Sequence, residues 1–324
     1  ELLLVAHYNP GDITVLDAGS LEERYTLEGG STWITDLDVS ADGTIVAGIE
    51  PYDGLVFVWD LEAQSLIAEL QADCSAGCPW GVALSGDGMV VTSGDTVWDV
   101  ATGEVLLAGI ASASADVEML GDGRMAVADG SVARIVDLET GETLQTLRGH
   151  GANVRTMDVA ADGRMIATGG DDGSVRVWKV TDAEAEPWLT LPGHQGEVWE
   201  VQFSPDGQYL TTVAGRQQYP DPDLVYTWPK DWEARTWDIS AAGIGEWMAL
   251  PSRESEAAFA PTGEAVVVAD GQRGAGVWDV ESRGRVISFG GWAETSEITA
   301  AAYAPSGTVV ALGGFILSVT RRRR

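Results

Sequence analysis

Short apolar runs recur along the whole chain, separated by turns rich in glycine and aspartate. In Val201-Gln202-Phe203-Ser204-Pro205-Asp206-Gly207-Gln208-Tyr209-Leu210 an alternating run enters such a turn and a second run leaves it. Alternation with period two marks a half-buried strand, and glycine supplies the positive φ of a tight hairpin. The same turn recurs at Asp42-Gly43, Asp87-Gly88, Asp122-Gly123, Asp162-Gly163, Thr262-Gly263 and Ser306-Gly307. A further turn follows the next strand, as in Asp99-Val100-Ala101-Thr102-Gly103-Glu104 and Asp137-Leu138-Glu139-Thr140-Gly141-Glu142. The pattern predicts a unit of four strands: a, glycine turn, b, loop, c, turn, d.

Strand c closes on a recurring aspartate or its equivalent: Asp17, Asp60, Asp99, Asp137, Lys179, Asp238 and Asp279. Tryptophan precedes it at Trp59, Trp98, Trp178, Trp237 and Trp278. Successive intervals are 43, 39, 38, 42, 59 and 41 residues. Five of the six fit one four-stranded unit of roughly 40 residues. The long interval marks an insertion between strands b and c, over about 215–233. The Asp-Gly turns lack the carboxylate spacing of a calcium-binding loop and read as hairpins.

With its Gly149-His150, Thr168-Gly169-Gly170-Asp171-Asp172-Gly173 and Val177-Trp178, the fifth unit resembles the WD-repeat (WD40-type) β-propeller family. That resemblance implies an all-β, seven-bladed β-propeller of four-stranded antiparallel blades, with eight blades as the alternative. It also implies a structural hydrogen-bonded tetrad of His150, Thr168, Asp172 and Trp178. His194 opens the next unit, but the insertion replaces the aspartate expected after it. A single propeller is expected over 1–320, followed by a basic tail, 321–324. Residues 2–27 read as strands b, c and d without an a, and 299–320 as a, b and c without a d. Strand d from Arg24 to Leu27 would then complete the last blade, and Thr308 to Val319 reads as two short strands. The surplus b–c pair suggests a piece of a longer chain. The resemblance extends to propellers appended to bacterial signalling ATPases and regulators, which implies a protein or peptide partner.

Strand topology puts the b–c loops and the entrances of the a strands on one face. The insertion there carries Tyr219, Tyr226, Trp228 and Trp232 among prolines, and Trp33, Trp80, Arg155 and Trp199 stand at strand-a entrances. Tryptophan, tyrosine and arginine are the residue types that dominate binding hot spots. These eight residues are the candidate partner-binding positions.

Charge narrows the partner. The 324 residues carry 50 acids against 19 Lys and Arg, a net −31. Such a surface repels phosphate backbones and anionic lipid, which excludes nucleic acid and membrane insertion as expectations. No phosphate loop, nucleophile elbow or zinc-helix motif appears, and the a strands carry neither His nor Cys. Asp36, Asp38 and Asp158 could face a channel, where a solvated or hydrogen-bonded role outweighs a catalytic one. The expectation is therefore a non-catalytic binding scaffold or sensor with no catalytic residue, metal or cofactor; a propeller enzyme with a channel-mouth site is the alternative. Cys74 and Cys78 are expected as reduced thiols in a cytoplasmic protein. A disulfide between them would favour an exported, envelope-associated one.

Overall fold

The computed structural model describes residues 2–316 except 7–10, 18–21, 31–33, 35, 76, 80, 112–115, 182–184, 192–193, 216–232, 241–244, 252–256, 261–262, 270–274, 283–284, 290–295 and 304–309. Its described secondary structure is β throughout, in eight antiparallel sheets that follow one another along the chain.

Sheet 1 holds Leu2–Ala6, Gly11–Asp17 and Glu23–Gly30, equivalent to strands b, c and d. Six four-stranded sheets follow in the order a, b, c, d. Sheet 2 is Asp36–Val39, Ile45–Glu50, Leu55–Asp60 and Ser65–Gln71; sheet 3 is Ala83–Leu84, Val90–Ser93, Thr96–Asp99 and Val105–Ala108. Sheet 4 is Val117–Met119, Arg124–Asp129, Val132–Asp137 and Thr143–Arg148; sheet 5 is Val154–Val159, Met165–Gly170, Val175–Val180 and Ala185–Leu191. Sheet 6 is Glu197–Phe203, Tyr209–Gly215, Glu233–Asp238 and Gly245–Pro251; sheet 7 is Ala257–Phe259, Ala265–Ala269, Ala275–Asp279 and Arg285–Phe289. Sheet 8 pairs Ser296–Tyr303 with Val310–Ile316.

Glu23–Gly30 pairs with Gly11–Asp17 in sheet 1, and Leu2–Ala6 of that sheet lies beside Val310–Ile316. Val310–Ile316 is one strand rather than the two expected within Thr308 to Val319: the register shifts between Ile298 and Ala300, opposite Gly314 and Gly313, without ending the strand.

The turns explain the repeat. Six of the seven a–b turn glycines, at positions 43, 88, 123, 163, 207 and 263, have φ between 67° and 80°, a region costly to any L side chain. The seventh, Gly307, lies outside the described residues. In the Ser-x-Asp-Gly turns the chemistry repeats atom for atom. Asp87 accepts from Ser85 Oγ (2.7 Å) and Met89 N–H (3.0 Å), while Val90 N–H donates back to Ser85 Oγ (2.9 Å). Ser204 and Asp206 do the same for Gln208 and Tyr209. The aspartate that ends strand c caps the c–d turn: Asp99 accepts from the N–H and the hydroxyl of Thr102, both at 2.8 Å. Asp137 holds Thr140 likewise. At the start of the long fifth interval, Lys179 instead lays its ammonium 4.2 Å from the centre of the Trp188 ring.

The tryptophan before that aspartate packs backwards onto the preceding sheet. Trp59 lies among Ile13, Val15 and Leu27 of sheet 1, and Trp98 among Ala47, Val58 and Leu70 of sheet 2. Trp178, Trp237 and Trp278 repeat the arrangement on sheets 4, 5 and 6. Where the tryptophan is missing, Val136 fills the same place against sheet 3. Each of these tryptophans is buried among apolar side chains, so truncating one to alanine costs about 3–5 kcal/mol.

Candidate functional site

The best-formed polar site lies where the a strands of sheets 5 and 6 begin. Both strands bulge there. Register slips between Val154 and Thr156 and between Val198 and Glu200, which leaves Arg155 and Trp199 as the extra residues. A bulge re-aims its side chain away from the regular pleat. The Arg155 guanidinium stacks 3.9 Å from the centre of the Trp199 ring. Its Nε donates to Asp171 (2.7 Å), and Nη2 reaches Glu197 (3.4 Å). Trp199 Nε1 in turn donates to the carbonyl of Gly215 (3.2 Å), the residue at which the insertion leaves strand b.

Arg155 keeps 33% of its side chain exposed despite these partners. A stacked, doubly hydrogen-bonded arginine is already ordered, so a partner docking on it forfeits little side-chain entropy. Of the other expected partner-binding residues, Trp33, Trp80, Tyr219, Tyr226, Trp228 and Trp232 lie outside the described residues. Gly215 and Glu233 flank the insertion, and the Cys74–Cys78 loop precedes Trp80. The two cysteines are joined by a disulfide, contrary to the expected free thiols. Cys78 Sγ lies 3.5 Å from the Tyr52 carbonyl, so this d–a loop lies against the b–c turn of sheet 2.

Beneath the Arg155–Trp199 pair, a directional hydrogen-bond chain braces sheet 5. Trp178 Nε1–H donates to Thr168 Oγ1 (3.0 Å), Thr168 Oγ1 lies 2.8 Å from His150 Nε2, and His150 Nδ1 lies 3.2 Å from Asp172. Burial pushes the imidazole pKa down, against the pull of Asp172. Burial also works against ionisation of Asp172, but donation by Ser174 and the Gly151 N–H outweighs it and brings this pKa to about 2. The chain therefore runs from a neutral His150, protonated on Nδ1, into an ionised carboxylate. All its groups are engaged with one another, which makes it a brace rather than a reaction centre.

Sheet 6 holds a second such chain that sequence reasoning missed. Trp237 Nε1 donates to Thr212 Oγ1 (2.9 Å), His194 Nε2 lies 2.7 Å from the same oxygen, and His194 Nδ1 lies 2.8 Å from Glu233. Glu233 stands at the far root of the insertion and supplies the carboxylate that the short b–c turn supplies in sheet 5. Arg235 holds its other oxygen at 2.9 Å. The insertion is thus spliced into the tetrad without breaking it.

The a-strand carboxylates also have a structural use. Asp36 and Asp38 of sheet 2 accept from Val82 N–H (2.9 Å) and Leu84 N–H (2.7 Å) of sheet 3. Asp116 accepts from Met157 N–H (2.7 Å) and Asp158 from Phe203 N–H (2.5 Å). Gln202 does the same for Phe259 N–H (3.1 Å). Counted from the turn glycine, the acceptors fall at two fixed positions of strand a, a signal visible only after the units are aligned. Burial pushes Asp36 up to about 6, and Asp116 and Asp158 up to about 7. Glu118, one methylene longer, receives no such N–H, and burial among these neighbours raises its pKa well above the ordinary range.

Among the described residues no group of three or more His, Cys, Asp or Glu is placed to hold a metal ion. A cleft of about 260 Å³ between the a–b turns of sheets 5 and 6, beside Met165 and Pro205, offers only Asp162 and Asp206 as titratable groups. Both already cap their own turns.

Three segments, 21–60, 141–179 and 185–216, match the family model described as WD domain, G-beta repeat. The first two run from strand d of one sheet through strands a, b and c of the next, so each sequence repeat straddles a sheet-to-sheet interface. The chain is 29% identical over 185 residues to nuclear distribution protein PAC1 of Arthroderma benhamiae, covering 53% of this chain and 39% of that protein. It is 29% identical over 193 residues to autophagy-related protein 16 of Arabidopsis thaliana, covering 55% and 37%. It is 28% identical over 195 residues to pre-mRNA-processing factor 19 homolog 2 of the same plant, covering 57% and 33%. The matched part is about two fifths of PAC1 and less of the other two. Those three segments, about a third of the chain, are similar to WD40 repeats.

Proposed function

We propose that this chain is a non-catalytic scaffold that docks a protein or peptide on the face carrying its b–c and d–a loops. The observation that carries the reading is the Arg155–Trp199 stack: two bulged hot-spot residue types, pre-ordered and part-exposed, at the root of an insertion rich in aromatics. Trp33, Trp80, Tyr219, Tyr226, Trp228 and Trp232 extend this surface in the proposal. The test is affinity capture followed by cross-link mapping, with wild type compared with an Arg155→Ala, Trp199→Ala variant of unchanged melting temperature. Cross-links to this face that vanish in the variant support the proposal, and capture that persists in the variant overturns it.

The same reading makes the consecutive sheets blades of a seven-bladed propeller. Among the described residues sheet 1 holds b, c and d and sheet 8 holds a and b, and Leu2–Ala6 lies beside Val310–Ile316, which supports joining of the two ends. None of the relatives named is a bacterial signalling protein, and that part of the expectation gains nothing from them. The Cys74–Cys78 disulfide favours the exported alternative over a cytoplasmic one, since such bonds persist in oxidising compartments.

A further inference from the structure

The second observation of this molecule that points to a partner lies on the outer strands of sheets 2 and 3. Between Arg24 and Arg124 the chain has 17 Asp and Glu and not one Lys, Arg or His. Sheets 2 and 3 lie wholly inside this stretch. Their outermost strands nevertheless expose large apolar side chains: Leu66 at 45% and Ile67 at 40% in Ser65–Gln71, and Val105 at 55% and Leu106 at 47% in Val105–Ala108. The c–d turn that leads into the outer strand of sheet 3 approaches the outer strand of sheet 2, for a Cβ placed on Gly103 would lie 3.4 Å from Leu70. The exposed acids Glu62, Glu69 and Glu104 border the apolar residues.

The backbone specifies how such a surface can be read. In each outer strand the register slips opposite the strand-c tryptophan, from Ala68 to Leu66 and from Leu107 to Val105. Ile67 and Leu106 are the extra residues of these two bulges. A bulge breaks the even row of edge N–H and C=O groups that an added strand requires. Recognition therefore runs through side chains, with apolar contacts in the centre and carboxylates around them.

We propose that the outer strands of sheets 2 and 3 dock a basic amphipathic polypeptide segment, one that presents apolar residues flanked by Lys or Arg. Charge decides among the occupants. A second copy of a chain with net charge −31 is repelled, as are anionic lipid and nucleic acid, whereas a cationic segment is both steered to this surface and paired on arrival. This site stands near the c–d turns, at the opposite end of the strands from Arg155 and Trp199, so its failure and that of the loop-face reading are separable.

The probe is a short leucine–lysine peptide of helical period, titrated into the full chain by fluorescence anisotropy at about 50 and 300 mM salt. The Ile67→Ser, Leu106→Ser variant should bind at least about tenfold more weakly. Val286→Ser is the control: Val286 is the equivalent bulge residue of sheet 7 and 63% exposed, but follows Arg285. It should leave affinity within about twofold. A second variant, Glu62→Gln with Glu104→Gln, should weaken binding at low salt and flatten its salt dependence. Equal binding by wild type and the serine variant, an equal loss in Val286→Ser, or binding of anionic lipid vesicles to this surface would each overturn the proposal.

Discussion

Replacing Thr168 by valine tests the tetrad most sharply, because it changes a hydroxyl into a methyl group of nearly the same size. Thr168 is fully buried, and Trp178 and His150 are 2% and 8% exposed. The substitution opens no cavity, yet it strips the Trp178 indole N–H of its acceptor at 3.0 Å and His150 Nε2 of its partner at 2.8 Å. A buried polar group left unsatisfied costs about 1–3 kcal/mol, so the two together should cost about 2–6 kcal/mol. Thr168→Ser keeps the hydroxyl and loses one methyl, about 1 kcal/mol. Urea unfolding followed by tryptophan fluorescence measures both, and an unchanged slope shows that the midpoint shift reports stability. Adding Trp178→Phe to Thr168→Val should cost less than the sum of the single changes, since the orphaned donor is removed as well. If Thr168→Val is as stable as Thr168→Ser, the hydrogen-bond chain is not what braces sheet 5.

Further outcomes follow from the same geometry. The raised pKa values of Asp36, Asp116 and Asp158 mean that the folded state holds protons the unfolded chain has already released. Their stabilisation is full below the unfolded value near 3.8 and is lost as pH rises through about 6 to 7, so the melting temperature should fall between about pH 4 and 7 and level off above. Asp116→Asn with Asp158→Asn keeps the acceptor oxygens and should flatten that fall; an unaltered slope would count against the inter-sheet carboxylates. Glu233→Ala removes the acceptor 2.8 Å from His194 and the partner of Arg235, and should lower stability by about 1–3 kcal/mol in denaturant titration. Gly163→Ala places a Cβ 2.9 Å from the Leu120 carbonyl oxygen at φ 68°, whereas Gly43→Ala at φ 72° meets nothing within 4 Å. Both pay the backbone strain of about 1 kcal/mol, and Gly163→Ala should be the less stable by calorimetry.

What the sequence made legible were the features set by local chemistry. The turn glycines need positive φ, the aspartate after every strand-c tryptophan but Trp178 caps a turn, and strand alternation marks the faces, so these features recur along the chain. The strand ends beside the insertion, Gly215 and Glu233, could be read because apolar alternation stops and restarts there. Glu233 could not be read as the second tetrad's carboxylate. Its counterpart Asp172 follows Thr168 within a short turn, while Glu233 reaches His194 from across the whole insertion. The carboxylates Asp36, Asp38 and Asp158 were visible as polar residues on apolar strands; Asp116 was not singled out. Their acceptor role depends on which N–H of the next sheet lies opposite, a fact of packing that no single strand encodes. The exposed bulge residues Ile67 and Leu106 escaped for the same reason, since an alternating pattern does not show where register slips.

The central claim, that a partner docks on the Arg155–Trp199 face, is tested most directly by hydrogen–deuterium exchange of the chain alone and with its captured partner. The account predicts slowed exchange at the start of Val154–Val159 and of Glu197–Phe203 and on both sides of the insertion, at Gly215 and Glu233. Slowed exchange confined to other faces, with these segments unchanged, would contradict it.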